Sequence, residues 1–140
     1  MFIHQIAVFL ENREGRVRDF SKVLADAGVN ILAMLVADTQ EFGILRAITD
    51  NNAAAVAALK TAGFNCAETE ILGFEVADKP GEMYKVLEIL DGAGININYL
   101  YSFTRSSKKC AVILIKVDDN KKAAEVLRKH GITLAEEDIL

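Results

Sequence analysis

The 140-residue chain has little of what catalytic centres are usually built from. Histidine occurs twice, as His4 in an apolar run and His130 at the end of a helical pattern, and neither has a serine or cysteine in a nucleophile-like turn beside it. Both therefore read as structural or solvated histidines. The two cysteines, Cys66 and Cys110, form no C-x-x-C pair and have no histidine partners, so they read as buried free thiols in a reducing compartment. Carboxylates are plentiful but never at metal-ligand spacing. Neither G-x-G-x-x-G nor G-x-x-x-x-G-K-[ST] occurs, so nothing cradles a nucleotide phosphate and no cofactor is expected. Together these absences argue against an enzyme.

Long apolar runs are also missing. None approaches the roughly 20 residues that span a bilayer, and no N-terminal stretch has the charged-then-apolar shape of a secretory signal. A cytoplasmic protein with no membrane partner is expected. The formal net charge is -4, and basic pairs such as Lys108-Lys109 and Lys121-Lys122 are scattered rather than gathered in a stripe, so no nucleic-acid partner is expected either.

What the chain does contain is itself, twice. The stretch Asp78 to Ile97, D-K-P-G-E-M-Y-K-V-L-E-I-L-D-G-A-G-I-N-I, repeats N-R-E-G-R-V-R-D-F-S-K-V-L-A-D-A-G-V-N-I from Asn12 at an offset of 66 residues. The offset carries Gly15 to Gly81, Val17 to Met83, Phe20 to Val86, Leu24 to Leu90 and Asn30 to Asn96. After the second strand it grows to 68, which Ser106-Ser107 in a turn would explain. With 51% hydrophobic residues, the chain is expected to fold as two small modules, residues 1–71 and 72–140.

Each copy reads strand, helix, strand, strand, helix, strand. In the first, Ile3 to Leu10 looks like a strand buried on both faces or nearly so. A helix to about Ala27 follows, with Val17, Phe20, Leu24 and Ala27 as its core stripe. Strands from Asn30 to Ala37 and Phe42 to Thr49 meet at a turn over Asp38 to Glu41. Asp50-Asn51-Asn52 caps a helix from Ala53 to Ala62, and a strand runs from Phe64 to about Leu72. The second copy gives strand 72–77, helix 81–91, strand 96–104, turn 105–109, strand 110–117, helix 120–129 and strand 132–138. Two right-handed crossovers then favour an α+β fold of two ferredoxin-like βαββαβ modules, each an antiparallel sheet of order 4-1-3-2 with both helices on one face.

The loops that enter the first helix of each copy carry the candidate chemistry. A short polar residue, Asn12 or Asp78, precedes a glycine at a helix N-terminus, where free N–H groups and the positive end of the dipole favour a carboxylate. Asp78 can pair with an ammonium group and Asn12 can accept a hydrogen bond from one. A carboxylate receptor beside an ammonium receptor describes a site for an α-amino acid. The competing reading is that both side chains only cap their helices.

The pattern D/N-x-x-G, an apolar helix, then G-[VI]-N-I resembles the ACT domain, and the likeness covers nearly the whole chain as two copies. The similarity is greatest to the serine-binding regulatory domain of phosphoglycerate dehydrogenase, whose loop and post-helix asparagines fall on Asn12 and Asn30. Such a resemblance implies a module that binds a small-molecule L-amino acid between modules and regulates a metabolic enzyme. It places the ligand among Asn12, Gly15, Arg16, Asn30 and Ile31 in the first copy, and among Asp78, Pro80, Gly81, Glu82, Met83, Asn96 and Ile97 in the second. Two departures stand out. Leu10 replaces the histidine before the loop asparagine, so serine specificity does not carry over. Glu14 replaces the usual proline, which puts a carboxylate at the first helix start and makes that site the weaker one expected.

The two modules consume the chain, so output is expected to pass through a partner protein. The alternative is a ligand-free interaction adaptor using the sheet edges. A 4-1-3-2 sheet leaves its second strand on an edge, so a homodimer is expected. A helix of this length separates the loop from the post-helix asparagine by about 15 to 20 Å, so the two must meet across modules. The pairs are Asn12 with Asn96 and Asp78 with Asn30 if the copies pair with each other, or Asn12 with Asn30 and Asp78 with Asn96 if like copies pair between chains. Strands 64–72 and 72–77 are joined by almost nothing, yet pairing the second strands within one chain would hold them roughly 29 Å apart. Either the closing strands exchange between the two modules or the pairing is between chains, and the second is the favoured expectation.

Overall fold

The computed structural model describes residues 2–38, 42–105 and 109–136. Its elements are β1 (Ile3–Glu11), α1 (Arg16–Asp26), β2 (Ile31–Asp38), β3 (Phe42–Thr49), α2 (Asn52–Thr61), β4 (Asn65–Ala77), α3 (Glu82–Gly92), β5 (Ile97–Arg105), β6 (Cys110–Val117), α4 (Asn120–Lys129) and β7 (Leu134–Ala135). The chain divides into two compact units, His4–Thr69 and Glu70–Leu140, the latter including Met1–Ile3.

In the unit His4–Thr69, β1 and β2 both pair antiparallel with β3, giving the order β4-β1-β3-β2. Ile6, Val8 and Leu10 of β1 sit opposite Ala47, Leu45 and Gly43, and this face meets Phe20 and Leu24 of α1 and Ala55 and Leu59 of α2. Burial of each such Leu, Ile or Phe stabilises by about 1.5–3 kcal/mol, which is what holds the helices on the sheet. The other face of β1 is covered only in its first half: Ile3 and Gln5 are buried, whereas Ala7 is half-buried and Phe9 is 50% exposed, so the strand is buried on both sides at its start and on one side at its end. The α1 stripe is shorter than its periodicity predicts, because Phe20 and Leu24 are buried while Val17 and Ala27, one near each end, are exposed.

The unit Glu70–Leu140 repeats the order as β7-β4-β6-β5, again antiparallel. Leu72, Phe74, Ile113, Ile115 and Val117 pack on Val86 and Leu90 of α3 and on Ala123, Ala124 and Leu127 of α4, with Phe2 packed against the same cluster. Both units therefore have the ferredoxin-like α+β arrangement with helices on one face.

The two short strands expected around Leu72 are one strand. β4 runs unbroken through thirteen residues, and its burial changes character along the way. From Asn65 to Glu70 exposed residues dominate, whereas Ile71, Leu72, Gly73 and Phe74 are buried in succession, the mark of a strand covered on both faces. Gly73 is required there by space. A Cβ added to it would lie 2.5 Å from Ile3 Cδ1, 3.0 Å from Ala135 Cβ and 3.4 Å from Leu114 Cδ2.

The second helix of each unit is tied by the same two devices. Asn51 Oδ1 accepts from Ala54 N at 3.1 Å, and Asp119 Oδ1 accepts from Lys122 N at 3.0 Å, each a side-chain cap. One residue on, Asn52 Nδ2 donates to the His4 carbonyl at 2.9 Å and Asn120 Nδ2 donates to the Glu70 carbonyl at 3.1 Å, fastening the helix start to the first strand of its copy.

Smaller differences from expectation have local causes. β7 spans only Leu134–Ala135: of the strand expected at 132–138, Ile132, Thr133 and Glu136 are not in strand, and 137–138 lie outside the described residues, as do most of both predicted turns. Cys66 is buried, and that burial pushes its thiol up, with Lys60 pulling weakly the other way. Cys110 is only half-buried because it is the first residue of β6 after the turn. No helix among the described residues is long and apolar enough to cross a membrane.

The packing around Gly73 makes a direct prediction. Gly73→Ala should destabilise the protein by about 1–3 kcal/mol, as overpacking does, measured as a lowered denaturant midpoint. Unchanged stability would show that Ile3 and Ala135 move aside freely.

Candidate functional site

The loops between β1 and α1 and between β4 and α3 end on Gly15 and Gly81, which occupy the N-cap positions in the left-handed region at φ 86° and 88°. Glycine adopts this conformation without the penalty a Cβ would bring. Being glycines, Gly15 and Gly81 bring no side chain to the first-turn amides, whereas the second helix of each unit is capped by the side chain of its own N-cap residue, Asn51 or Asp119. The Arg16 and Glu82 amides donate to the Arg13 and Lys79 carbonyls at 3.5 and 3.3 Å.

At the first loop the surface folds into a cleft of about 270 Å³, lined by Leu10, Glu11, Asn12, Arg13, Arg16, Val17, Val36 and Gly43. Strand register explains the composition. Glu11 pairs with Phe42 across β1 and β3, and Asp38 pairs with Gly43 across β2 and β3, so the ends of all three strands converge beside the start of α1. Arg13 Nε donates to Glu11 Oε2 at 2.9 Å. That hydrogen bond and the Arg13 charge, helped by Arg16, hold the Glu11 carboxyl below its usual range despite slight desolvation. Arg16 is more constrained. Its guanidinium stacks over Phe64 at 4.2 Å, Nη1 lies 3.5 Å from Asp19 Oδ2, and its side chain is only 17% exposed. Its buried Nε has no hydrogen-bond partner.

At the second loop, Asp78 N donates to the Lys109 carbonyl at 3.1 Å, and among the described residues its exposed carboxylate has no partner. Pro80 and Gly81 are exposed, Met83 is half-buried, and Glu82 Oε1 is bound by Lys85 Nζ at 2.8 Å.

The post-helix asparagines lie elsewhere. Ile31 pairs with Thr49 and Ile97 with Val117, at the opposite strand ends from the loops. The length of β2 alone puts Asn30 and Asn12 roughly 20 Å or more apart within one unit. Asn30 is held through its backbone, N to Asp50 Oδ1 at 2.9 Å and the Asp50 amide to the Asn30 carbonyl at 3.1 Å. Asn96 differs. Its Nδ2 donates to Asn98 Oδ1 at 3.3 Å, and Asn98 Nδ2 donates to Asp118 Oδ1 at 3.1 Å. Among the described residues no group of three His, Cys, Asp or Glu side chains is placed to hold a metal.

Residues 1–140 match the ACT domain pair family. The chain belongs to the ACT family. A Bacteroides thetaiotaomicron protein of known crystal structure is 34% identical to it, over 96% of this chain and 92% of that one, with a TM-score of 0.90. The regulatory subunit of aspartate kinase from Thermus thermophilus, in its ligand-free form, is 14% identical over 90% and 91% of the two chains, with a TM-score of 0.64. Its counterpart from Thermus flavus is 15% identical over 92% and 93%, with a TM-score of 0.63. These last two likenesses show a shared fold. No curated protein matches the chain.

An ACT domain pair is a regulatory module. In this one, each loop set predicted from sequence is contiguous at its helix start, and the asparagines that were expected to complete the ligand shell are not beside them within a unit. Sequence reasoning missed Val36 and Gly43, which enter the first cleft only through strand register. It also missed Arg13 and Glu11 as an ion pair at the mouth.

The unequal capping of the ACT helices is open to mutagenesis. Asn51→Ala and Asp119→Ala should each cost about 1 kcal/mol, the usual loss of an N-cap, whereas Asp78→Ala should leave the unfolding midpoint almost unmoved. A comparable loss for Asp78→Ala would restore it as a cap.

Proposed function

We propose that this ACT domain pair is an amino-acid-binding regulatory or sensor protein that has no catalytic activity of its own and acts through a partner enzyme or regulator. The observation that carries the reading is the contrast in helix starts: α2 and α4 are closed by the side chains of Asn51 and Asp119, while α1 and α3 begin on glycines at positive φ that bring no side chain of their own. A ligand carboxylate satisfies those amides, and Asn12 or Asp78 receives its ammonium group. The division into modules at about residue 71 and a cytoplasmic location belong to this proposal. The likeness to regulatory subunits of aspartate kinase supports a metabolic enzyme as the class of partner.

The ligand shell is completed across a homodimer. Among the described residues β2 pairs with β3 and β5 with β6, so each leaves one edge open to a strand of another chain. Antiparallel pairing of like edges brings the loop end of one module to the asparagine of its partner, Asn12 to Asn30 and Asp78 to Asn96. The same open edges favour, as a second reading, an adaptor that pairs with partner strands and binds no ligand.

A thermal-shift screen against the twenty amino acids separates these readings. A ligand at about 100 times its Kd stabilises by about 2.7 kcal/mol, enough to raise the midpoint by several degrees. No shift at millimolar concentration would leave the adaptor. For the composite site, Asp78→Ala and Asn96→Ala should each abolish binding at the second module, and a mixed dimer carrying one change per chain should recover one intact site. Binding that survives loss of both Asn30 and Asn96, or a monomer in sedimentation at high micromolar concentration, would overturn the assembly.

A further inference from the structure

The two copies are alike in backbone and unlike in charge at the helix start. Adding the repeat offset of 66 takes Glu11, Asn12, Arg13 and Arg16 of the first cleft to Ala77, Asp78, Lys79 and Glu82. The first set adds a guanidinium where the second has a carboxylate. We propose that the first module's cleft takes an amino acid with an acidic side chain, whose side-chain carboxylate is received by Arg16, and that the second module does not.

This inference rests on the amino-acid-binding reading of the loops and names the ligand class for one of them. Two observations support it. Arg16 lines the cleft, and its guanidinium is held over Phe64 at 4.2 Å, so its plane is set before any ligand arrives. Its ion pair with Asp19 is long, 3.5 Å through Nη1, and Asp19 is shared with Arg18 Nη1 at 3.4 Å, so the donors of Arg16 are not saturated. A planar guanidinium of this kind favours a second carboxylate in the bidentate fork that an amide cannot reproduce.

The rest of the cleft completes a three-point reading. The α-carboxylate meets the first-turn amides of α1, and the ammonium group meets Glu11 and Asn12, with Glu11 kept ionised by Arg13 at 2.9 Å. In the second module the same point is Glu82, held by Lys85 at 2.8 Å, which repels a second carboxylate. Arg13 corresponds to Lys79, so between Glu11 and Arg16 the pair Arg16 and Glu82 is the one position of the repeat where a cation faces an anion; Glu11 and Glu14 are lost to Ala77 and Pro80, and Asn12 becomes Asp78.

The test uses the full chain and isothermal titration with L-aspartate, L-glutamate, their amides L-asparagine and L-glutamine, and succinate. At least one of the two acidic amino acids should bind roughly tenfold or more tightly than its amide, the usual worth of a hydrogen bond to a charged group. Arg16→Gln should erase that preference, Arg16→Lys should restore part of it, and Glu82→Arg should create a second acid-binding site. Succinate, lacking the ammonium group, should bind more weakly than L-aspartate; equal binding would mean a simple dicarboxylate site and overturn the three-point reading. Equal affinity for acid and amide on the unmodified chain overturns the charge assignment, with amino-acid binding intact. No binding by any amino acid overturns both.

Discussion

A single strand has to serve two hydrophobic clusters, and much else follows from that constraint. β4 closes the sheet of the unit His4–Thr69 and opens the sheet of the unit Glu70–Leu140 without a turn between. A strand has only two faces and alternates between them, so the second half must present Leu72 and Phe74 to its helices while Ile71 and Gly73 face the other way. Gly73 is where that other face becomes too crowded for a side chain. Ile3, at the very start of β1, supplies part of the crowding, and this explains why the first residues of the chain group with the second copy rather than the first.

Within each unit the four strands and two helices leave the helix starts in two different states. At α2 and α4 a polar side chain accepts from a first-turn amide, and the next asparagine ties the helix to a strand carbonyl. At α1 and α3 glycine makes the turn and supplies nothing to accept. Orphan amides at a helix start are ordinarily met by a side chain, water or a ligand. That the same choice recurs in both copies, despite different residues around it, ties the difference to the repeat rather than to accident of one loop.

The copies then diverge in chemistry over a conserved backbone path. The first cleft is walled by Arg13 and Arg16 and by strand ends carrying Val36 and Gly43, whereas the second loop presents an unpartnered Asp78 and a Glu82 engaged by lysine. The post-helix positions diverge too, since Asn30 is anchored by its backbone to Asp50 and Asn96 by its side chain to Asn98.

Much of this was legible in the residues themselves. The repeat, the α+β class, the strand order in each copy and the glycine starts all rest on periodicity and on local conformational preference, which are properties of short stretches. Phe42–Thr49, Cys110–Val117 and Asn120–Lys129 fall where those signals put them. Tertiary structure alone decided the rest. How far along β1 the second face stays buried depended on what covered it, Ile3 and Gln5 being buried and Phe9 exposed. The continuity of β4 appeared only in the structure, where Asn65–Ala77 run as one strand. The cleft at Arg16 needed three strand ends brought into register and a phenylalanine, Phe64, carried in from 48 residues away by α2 to hold the guanidinium. Local sequence specifies local conformation; contacts between distant residues exist only once the sheet has set their register.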